Sequence, residues 1–411
     1  MGQKTSRKAG RKAGILLAAV AIFAVAIPAV AEAKKKGKGG AKVTVMTRNL
    51  FLGADLGPAL EADNIGAAID GAGEIWNEFE ATKIRERVVP LAKEIKKAKP
   101  DLVGLQEVAT WYTQTPSDGG APPISPIPGA QPASAVDSDF LALLTEQLKG
   151  KGPKYEVVAV QEEFSGELPA DVDQNNSTGT GPLGAGAFGA DFDARLLMHD
   201  AILVRKGSKV STGKTDASHY ATRFEPNIGG IEIPVDRGWL SVEAKVGSKA
   251  KGKGKKAGVA KKKGGKKFKF RFINTHLEAF GDPTIREAQA KELIAGPANT
   301  NKQVILVGDI NSGLQERHAT GGYQFKPGDP LAFQAFAAAG FKDNGAVHTA
   351  SHDDLFDPAD GFDHTVDHVL TKPGLKTKRA YVTGDDPAEM TPSGLWPSDH
   401  GGVVSRLQLK K

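Results

Sequence analysis

The sequence predicts an α/β sandwich of two β-sheets, and three observations carry that prediction. Apolar, β-branched runs recur along the chain between turn-forming clusters, while few segments show helical spacing. No self-similarity appears at periods of roughly 20–50 residues, which excludes a solenoid or propeller. The chain has 411 residues, is 40% hydrophobic and has no Cys, so it can stand on one large continuous core without disulfide staples.

The elements follow in order. Residues 1–33 are set aside: Lys4, Arg7, Lys8, Arg11 and Lys12 form a basic flank, 15–27 is apolar, Pro28 breaks the run, and Ala31-Glu32-Ala33 has small-x-small form. This is the layout of a cleaved secretory signal peptide, with a retained membrane anchor as the alternative. Residues 34–42 read as a basic linker and 43–411 as the folded domain. Val43-Thr44-Val45-Met46-Thr47 alternates as a strand ending at Arg48-Asn49. Residues 74–98 fit one helix face through Ile75, Phe79, Ile84, Val88, Leu91 and Ile95, with Pro90 expected to kink or split it. Residues 102–105 predict a short strand ending at Gln106-Glu107, 111–136 a Pro/Gly/Ser-rich loop, 139–148 a helix, 155–160 a strand, 165–190 a second long loop and 201–204 a strand. Residues 238–246 and 268–275 predict a strand pair joined by a lysine-rich insertion at 245–267. A helix at 286–293, a strand at 303–307, a helix at 331–339 and strands at 366–370 and 402–409 complete the domain.

The net charge of +6 misleads. Residues 1–40 hold nine Lys/Arg and one Glu, and 245–271 hold thirteen Lys/Arg and no acid. The rest carries 32 Lys/Arg against 47 Asp/Glu. The body is therefore acidic, which excludes a globally basic nucleic-acid-binding surface. The tract Lys249–Lys267 remains a local anionic contact, suited to phosphate backbones or a charged surface.

One pattern carries chemistry. Apolar strands repeatedly end in a polar residue: Asn49, Glu107, His276, Asp309 with Asn311, Asp367, and Asp399-His400 ahead of the last strand. Each has an ordinary reading as a turn, cap or salt-bridge group. Together they supply hard oxygen donors, which favour Mg²⁺, with Mn²⁺ or Ca²⁺ as alternatives, over Zn²⁺. They also supply His and Asp side chains that could orient and deprotonate water. Asp309 and Asn311, spaced i, i+2, are expected to point the same way from an extended chain.

In order, TRNL (47–50), GLQEV (104–108), NTHLEA (274–279), Arg286 and Gln289, GDINS (308–312), VDHVL (366–370) and SDHGGV (398–403) resemble the endonuclease/exonuclease/phosphatase superfamily, the DNase I-like fold. The resemblance runs from about Lys42 to Leu409. It implies a four-layer α/β/β/α sandwich, with two packed mixed sheets flanked by helices. Glu107 would be the principal metal carboxylate, with Asn49 and Asp399 on the metal side. His400 would be the general base or a phosphate-contacting residue, oriented by Asp367. Asp309 and Asn311 would position water and phosphate, and His276 would contact the phosphate or protonate the leaving oxygen. Asn49, Asn311 and His276 would also bind substrate. Ile310 stands where an aromatic or Leu is common in the family, and the carboxylate that pairs with this His in nuclease members cannot be placed.

The expectation is a secreted, monomeric, divalent-metal-dependent hydrolase of phosphoesters, a nuclease or phosphodiesterase, with nucleic acid among its candidate substrates. It would be free or held at the cell surface by charge. A sphingomyelinase-like lipid phosphodiesterase is the runner-up, and a non-enzymatic protein binding anionic surfaces is a third reading. Specificity would lie in loops.

Overall fold

The computed structural model describes residues 40–120, 130–174, 190–247, 267–313, 330–350, 352, 354–373 and 375–409. The signal segment, most of the linker and residues 248–266 of the lysine tract lie outside them. The elements are β1 (Lys42–Asn49), α1 (Gly57–Leu60), α2 (Ile65–Ala81), α3 (Ile84–Ala98), β2 (Leu102–Gln114), β3 (Ala135–Asp139), α4 (Phe140–Lys149), β4 (Tyr155–Ala170), β5 (Phe192–Arg205), β6 (Val210–His219), β7 (Asn227–Ile228), β8 (Ile231–Glu232), β9 (Gly238–Gly247), β10 (Lys267–His276), α5 (Pro283–Ala295), β11 (Gln303–Asp309), α6 (Leu331–Ala338), β12 (Lys342–Asp343), β13 (Asp367–Lys372), β14 (Leu375–Thr383) and β15 (Gly402–Leu409).

The strands read as continuous apolar runs because both of their faces are covered. In β11, Ile305 and Val307 face an interior shared with Val43 and Val45, while Val304 and Leu306 face one shared with Ala290, Leu293 and Phe336. Period-two alternation therefore feeds two different cores from one strand. One sheet runs β14-β15-β1-β2-β5-β4 with β3 also paired to β2, and the other runs β12-β13-β11-β10-β9-β6. The first interior lies between the sheets. A second lies between the β1–β2 sheet and α2, α3 and α4, and a third between the β10–β11 sheet and α5 and α6. This is the expected four-layer α/β/β/α sandwich. Both sheets are mixed, since β1 pairs with β2 and β10 with β11 in parallel, and their other pairings are antiparallel. Each parallel pair needs a crossover, and helices supply it on the outer face.

Several expectations are corrected. The helical region splits at Thr82-Lys83, not at Pro90, which lies inside α3. Lys83 is left-handed (φ 44°), and the Thr82 hydroxyl donates to Gly53 O at 2.8 Å and Phe79 O at 3.0 Å. These local bonds end α2 more firmly than one missing N–H interrupts α3. The strand at 102–105 continues to Gln114, so Glu107 is not at a strand end. The loops expected at 111–136 and 165–190 give up residues 111–114, 135–136 and 165–170 to β2, β3 and β4. Strands β6 and β14 carry no clear apolar alternation and escaped the sequence reading.

The topology gathers one end of each sheet. The β1 register sets Asn49 beside Gln106, and the β10 register sets His276 beside Asp309, which in turn faces Asp367 at the start of β13. β15 runs antiparallel to β1, so the residues just before it return to the Asn49 end. Gly247 and Lys267 pair at the opposite end of the β9–β10 hairpin from His276, so the lysine insertion joins the far end.

Candidate active site

Glu107 owes its place to a β-bulge. Leu105 pairs with Ala201 and Val108 with His199, so Gln106 and Glu107 together oppose Asp200. Glu107 takes a left-handed backbone (φ 53°). Its carboxylate accepts from Asn49 Nδ2 at 2.7 Å and Leu52 N at 2.8 Å. Asn49 Nδ2 also reaches Asp309 Oδ2 at 3.1 Å, and Asn49 Oδ1 accepts from Phe51 N at 2.9 Å. One amide thus ties the β2 carboxylate to the β11 carboxylate across the two sheets.

Asp309 and Asn311 converge, but not from an extended chain. The strand ends at Asp309, Asn311 is left-handed (φ 47°), and its N–H donates to Asp309 Oδ1 at 2.9 Å. It is an Asx-type turn that brings the two together. Asn311 Nδ2 then lies 2.9 Å from Leu277 O and 3.2 Å from His276 Nε2. His276 Nε2 is 3.6 Å from Asp309 Oδ2 and 3.9 Å from Glu107 Oε1. His400 Nδ1 donates to Asp367 Oδ2 at 2.8 Å, and its Nε2 is 3.6 Å from Asp309 Oδ2.

All eight residues singled out in the sequence therefore belong to one neighbourhood, which Asp399 joins through its electrostatic interaction with Glu107 and His400. Asp399 is partly buried and takes a bond from Ser398 Oγ at 3.3 Å. Glu107, His276 and Asp309 form one group whose ligand atoms could hold a metal ion, and Asp309, Asp367 and His400 form another. His364 and Arg286 do not join the site: His364 pairs with Asp363, and Arg286 Nη2 donates to Ala279 O at 3.4 Å. Gln289 accepts from Glu278 N at 2.9 Å, so it braces the chain after His276.

Electrostatics follow from crowding. Burial, with Asp367 and Glu107 nearby, raises the Asp309 carboxyl to about 7 despite the opposing pull of His400. Burial and Glu107 raise Asp399 to about 6, against the opposing pull of His400 and Arg87. Burial opposes a charge on His400, but Asp367, Asp399 and Asp309 outweigh it and hold the imidazole well above its usual value. His276 goes the other way: burial, Arg237 and His400 keep it well below. Carboxylates pushed toward neutrality by burial and, secondarily, by one another are the environment a cation relieves, so the donor set fits a divalent metal.

Supporting residues were missed from sequence. Thr47 Oγ1 donates to Gln106 Oε1 at 3.0 Å, Gln106 Nε2 to Asn274 Oδ1 at 2.5 Å, and Asn274 Nδ2 to Asp200 Oδ2 at 3.2 Å, a buried chain joining the sheets beneath the site. Asn274 could have been found. It follows Phe270 and Phe272 on the inward face of β10, where a polar residue needs a partner. Arg87 is fully buried and donates to Leu50 O, Phe51 O and Pro397 O at 2.9–3.1 Å, binding the segment after Asn49 to the segment before Asp399. Arg48 does likewise, donating to His400 O and Asn49 O while pairing with Glu94 at 3.0 Å. His368 spans from Asp343 Oδ2 (2.8 Å) to Ser312 O (2.9 Å), under the Asp309 turn. Nothing in the local sequence marks these arginines as braces, since the partners that make them so (Leu50 O, Phe51 O and Pro397 O for Arg87, Glu94 and His400 O for Arg48) are supplied by distant segments.

The Endonuclease/Exonuclease/phosphatase family model matches residues 75–400. The chain belongs to this family. Members of the endonuclease/exonuclease/phosphatase family are hydrolases acting on phosphoesters. Among curated proteins none matches the chain. Among solved structures it is similar to a family protein from Bacteroides thetaiotaomicron (17% identity, 90% of this chain and 99% of that one, TM-score 0.46). It is similar to a mannosyl-6-phosphatase of the same organism (17%, 89% and 99%, TM-score 0.44). It is also similar to an endonuclease/exonuclease/phosphatase from Beutenbergia cavernae (17%, 90% and 72%, TM-score 0.46).

Proposed function

We propose that this chain is an exported, divalent-metal-dependent phosphodiesterase of the nuclease type. The observation that carries the reading is the convergence of Glu107, Asp309, His276 and the Asp367–His400 pair at one end of both sheets. Glu107 and Asp309, with Asn49 and Asp399 beside them, are the oxygen donors that would hold Mg²⁺ or Mn²⁺. When bound, such an ion neutralises phosphate charge and stabilises the leaving oxygen. Asp367 accepts the Nδ1 proton of His400, so once the ring is neutral its lone pair lies on Nε2, the nitrogen facing Asp309, and a proton from water would be taken there. Asn311 and Asn49 would donate to phosphate oxygens; for Asn49 this means exchanging one of its amide bonds to Glu107 or Asp309. Export rests on the basic–apolar–Ala-Glu-Ala layout of residues 1–33. No helix among the described residues is long and apolar enough to cross a membrane.

The test is hydrolysis of bis-p-nitrophenyl phosphate by the purified protein, with a screen of plasmid DNA, RNA, sphingomyelin and inositol phosphates to place the substrate. Turnover should require added Mg²⁺ or Mn²⁺ and vanish with chelator. Glu107→Ala and His400→Ala should each lower kcat by about 10²-fold or more. Turnover surviving in either variant, or in chelator, would refute the assignment.

A further inference from the structure

His276 sits in a gradient of charge. On its Nδ1 side is the guanidinium of Arg237, with Nη1 at 3.1 Å. On its Nε2 side are Asp309 Oδ2 at 3.6 Å and Glu107 Oε1 at 3.9 Å, with Asn311 Nδ2 at 3.2 Å. A guanidinium only donates, so the Nδ1 lone pair must accept and the ring proton belongs on Nε2, toward the carboxylates. The Asn311 amide has two N–H groups: one donates to Leu277 O at 2.9 Å, and with the ring proton on Nε2 the other makes no bond to the imidazole and stays free for a ligand.

Arg237 is itself locked. It is 3% exposed, and its Nε and Nη2 face the two Glu278 oxygens at 3.5 Å each. Its Nη1 also contacts Met198 Sδ at 3.7 Å. Glu278 is fully buried and accepts from Ala279 N at 3.0 Å and Phe280 N at 3.1 Å. The carboxylate two residues after His276 therefore holds the arginine, and the arginine holds the imidazole.

We propose that Arg237 is a positioning residue that fixes His276 as the neutral Nε2–H tautomer, making the ring a hydrogen-bond donor to a phosphoester oxygen. This rests on the phosphoester reading and narrows it. With its proton on Nε2, His276 offers no lone pair to a metal ion there, although Glu107, His276 and Asp309 lie at ligand spacing.

The test is long-range ¹H–¹⁵N correlation on the ¹⁵N-histidine-labelled, metal-free protein, with His276→Gln used to assign the ring. The wild-type spectrum should show a neutral ring protonated on Nε2. Arg237→Met should move the proton toward Nδ1, and Arg237→Lys should restore the wild-type pattern in part. The pair Arg237→Met with Glu278→Gln repeats the test without leaving the Glu278 carboxylate unpaired. Mn²⁺ affinity should be unchanged in His276→Gln. A wild-type ring protonated on Nδ1 or on both nitrogens, an unmoved proton in the Arg237→Met variants, or weaker Mn²⁺ binding in His276→Gln would overturn the proposal. None of these readings depends on turnover, so they stand or fall separately from the hydrolase assignment.

Discussion

His400 is the residue most exposed to the balance of charges around it. Its pKa is raised because three carboxylates outweigh the cost of burying its charge. The sign is then fixed. A His raised in the folded state contributes stability that is fully present below its unfolded value of about 6.5, and that is lost as pH rises through the folded pKa. In metal-free protein, Asp367→Asn should lower the His400 pKa and shrink the loss of stability on the alkaline side. NMR titration with denaturant melts at several pH values checks both, and an unmoved His400 titration would show that Asp367 does not control it. At this scale the sequence was legible where chemistry repeats: Asn49, Glu107, Asp309, Asp367 and His400 stand out as polar residues beside apolar runs. It was illegible for Arg237, Arg87 and Arg48. Buried arginines are recognised by what surrounds them, and distant segments supply those surroundings.

Among the elements, β2 does the most to build the site, and it does so by irregularity. Leu105 and Val108 both face the helices although they are three positions apart, because the bulge inserts one residue into the alternation. Gln106 is thereby turned to the inter-sheet chain and Glu107 to Asn49 and the candidate site. The sequence reading ended the strand at this point because Gln106-Glu107 breaks the apolar pattern, and nothing in it distinguishes a bulge from an end. Gly104 is the complementary device: a Cβ there would lie 2.1 Å from Asn274 Oδ1 and 2.6 Å from Val307 Cγ2. Gly104→Ala should therefore push the sheets apart at the polar chain and cost about 1–3 kcal/mol. Calorimetry checks the loss, and a neutral Ala would mean that Asn274 yields without strain.

For the whole molecule, two sheets bring the ends that carry the candidate site together while the lysine insertion joins the other end of the β9–β10 hairpin. Replacing residues 248–266 with a two-residue turn should change unfolding free energy by less than about 1 kcal/mol, since loop length alone costs little, and leave small-substrate turnover intact. If the tract holds a polyanion, the same deletion should flatten the salt dependence of binding; an unchanged slope would remove the tract from substrate recognition. The two-sheet α/β sandwich was legible because covered strands and spaced helices leave periodic signatures, while its four-layer arrangement was implied by the resemblance of the ordered motifs. The long loops were not, because Gly/Pro-rich composition specifies absence of regular structure and little else. The carboxylate crowding at the shared end has one more consequence. An ion that relieves it binds the folded chain and has no such site on the unfolded one, so the fold is a thermodynamic reporter of ion supply. At an ion concentration about a hundred times its dissociation constant, occupancy alone deepens the folded well by about 2.7 kcal/mol, and a chain released into ion-poor surroundings is correspondingly easier to unfold.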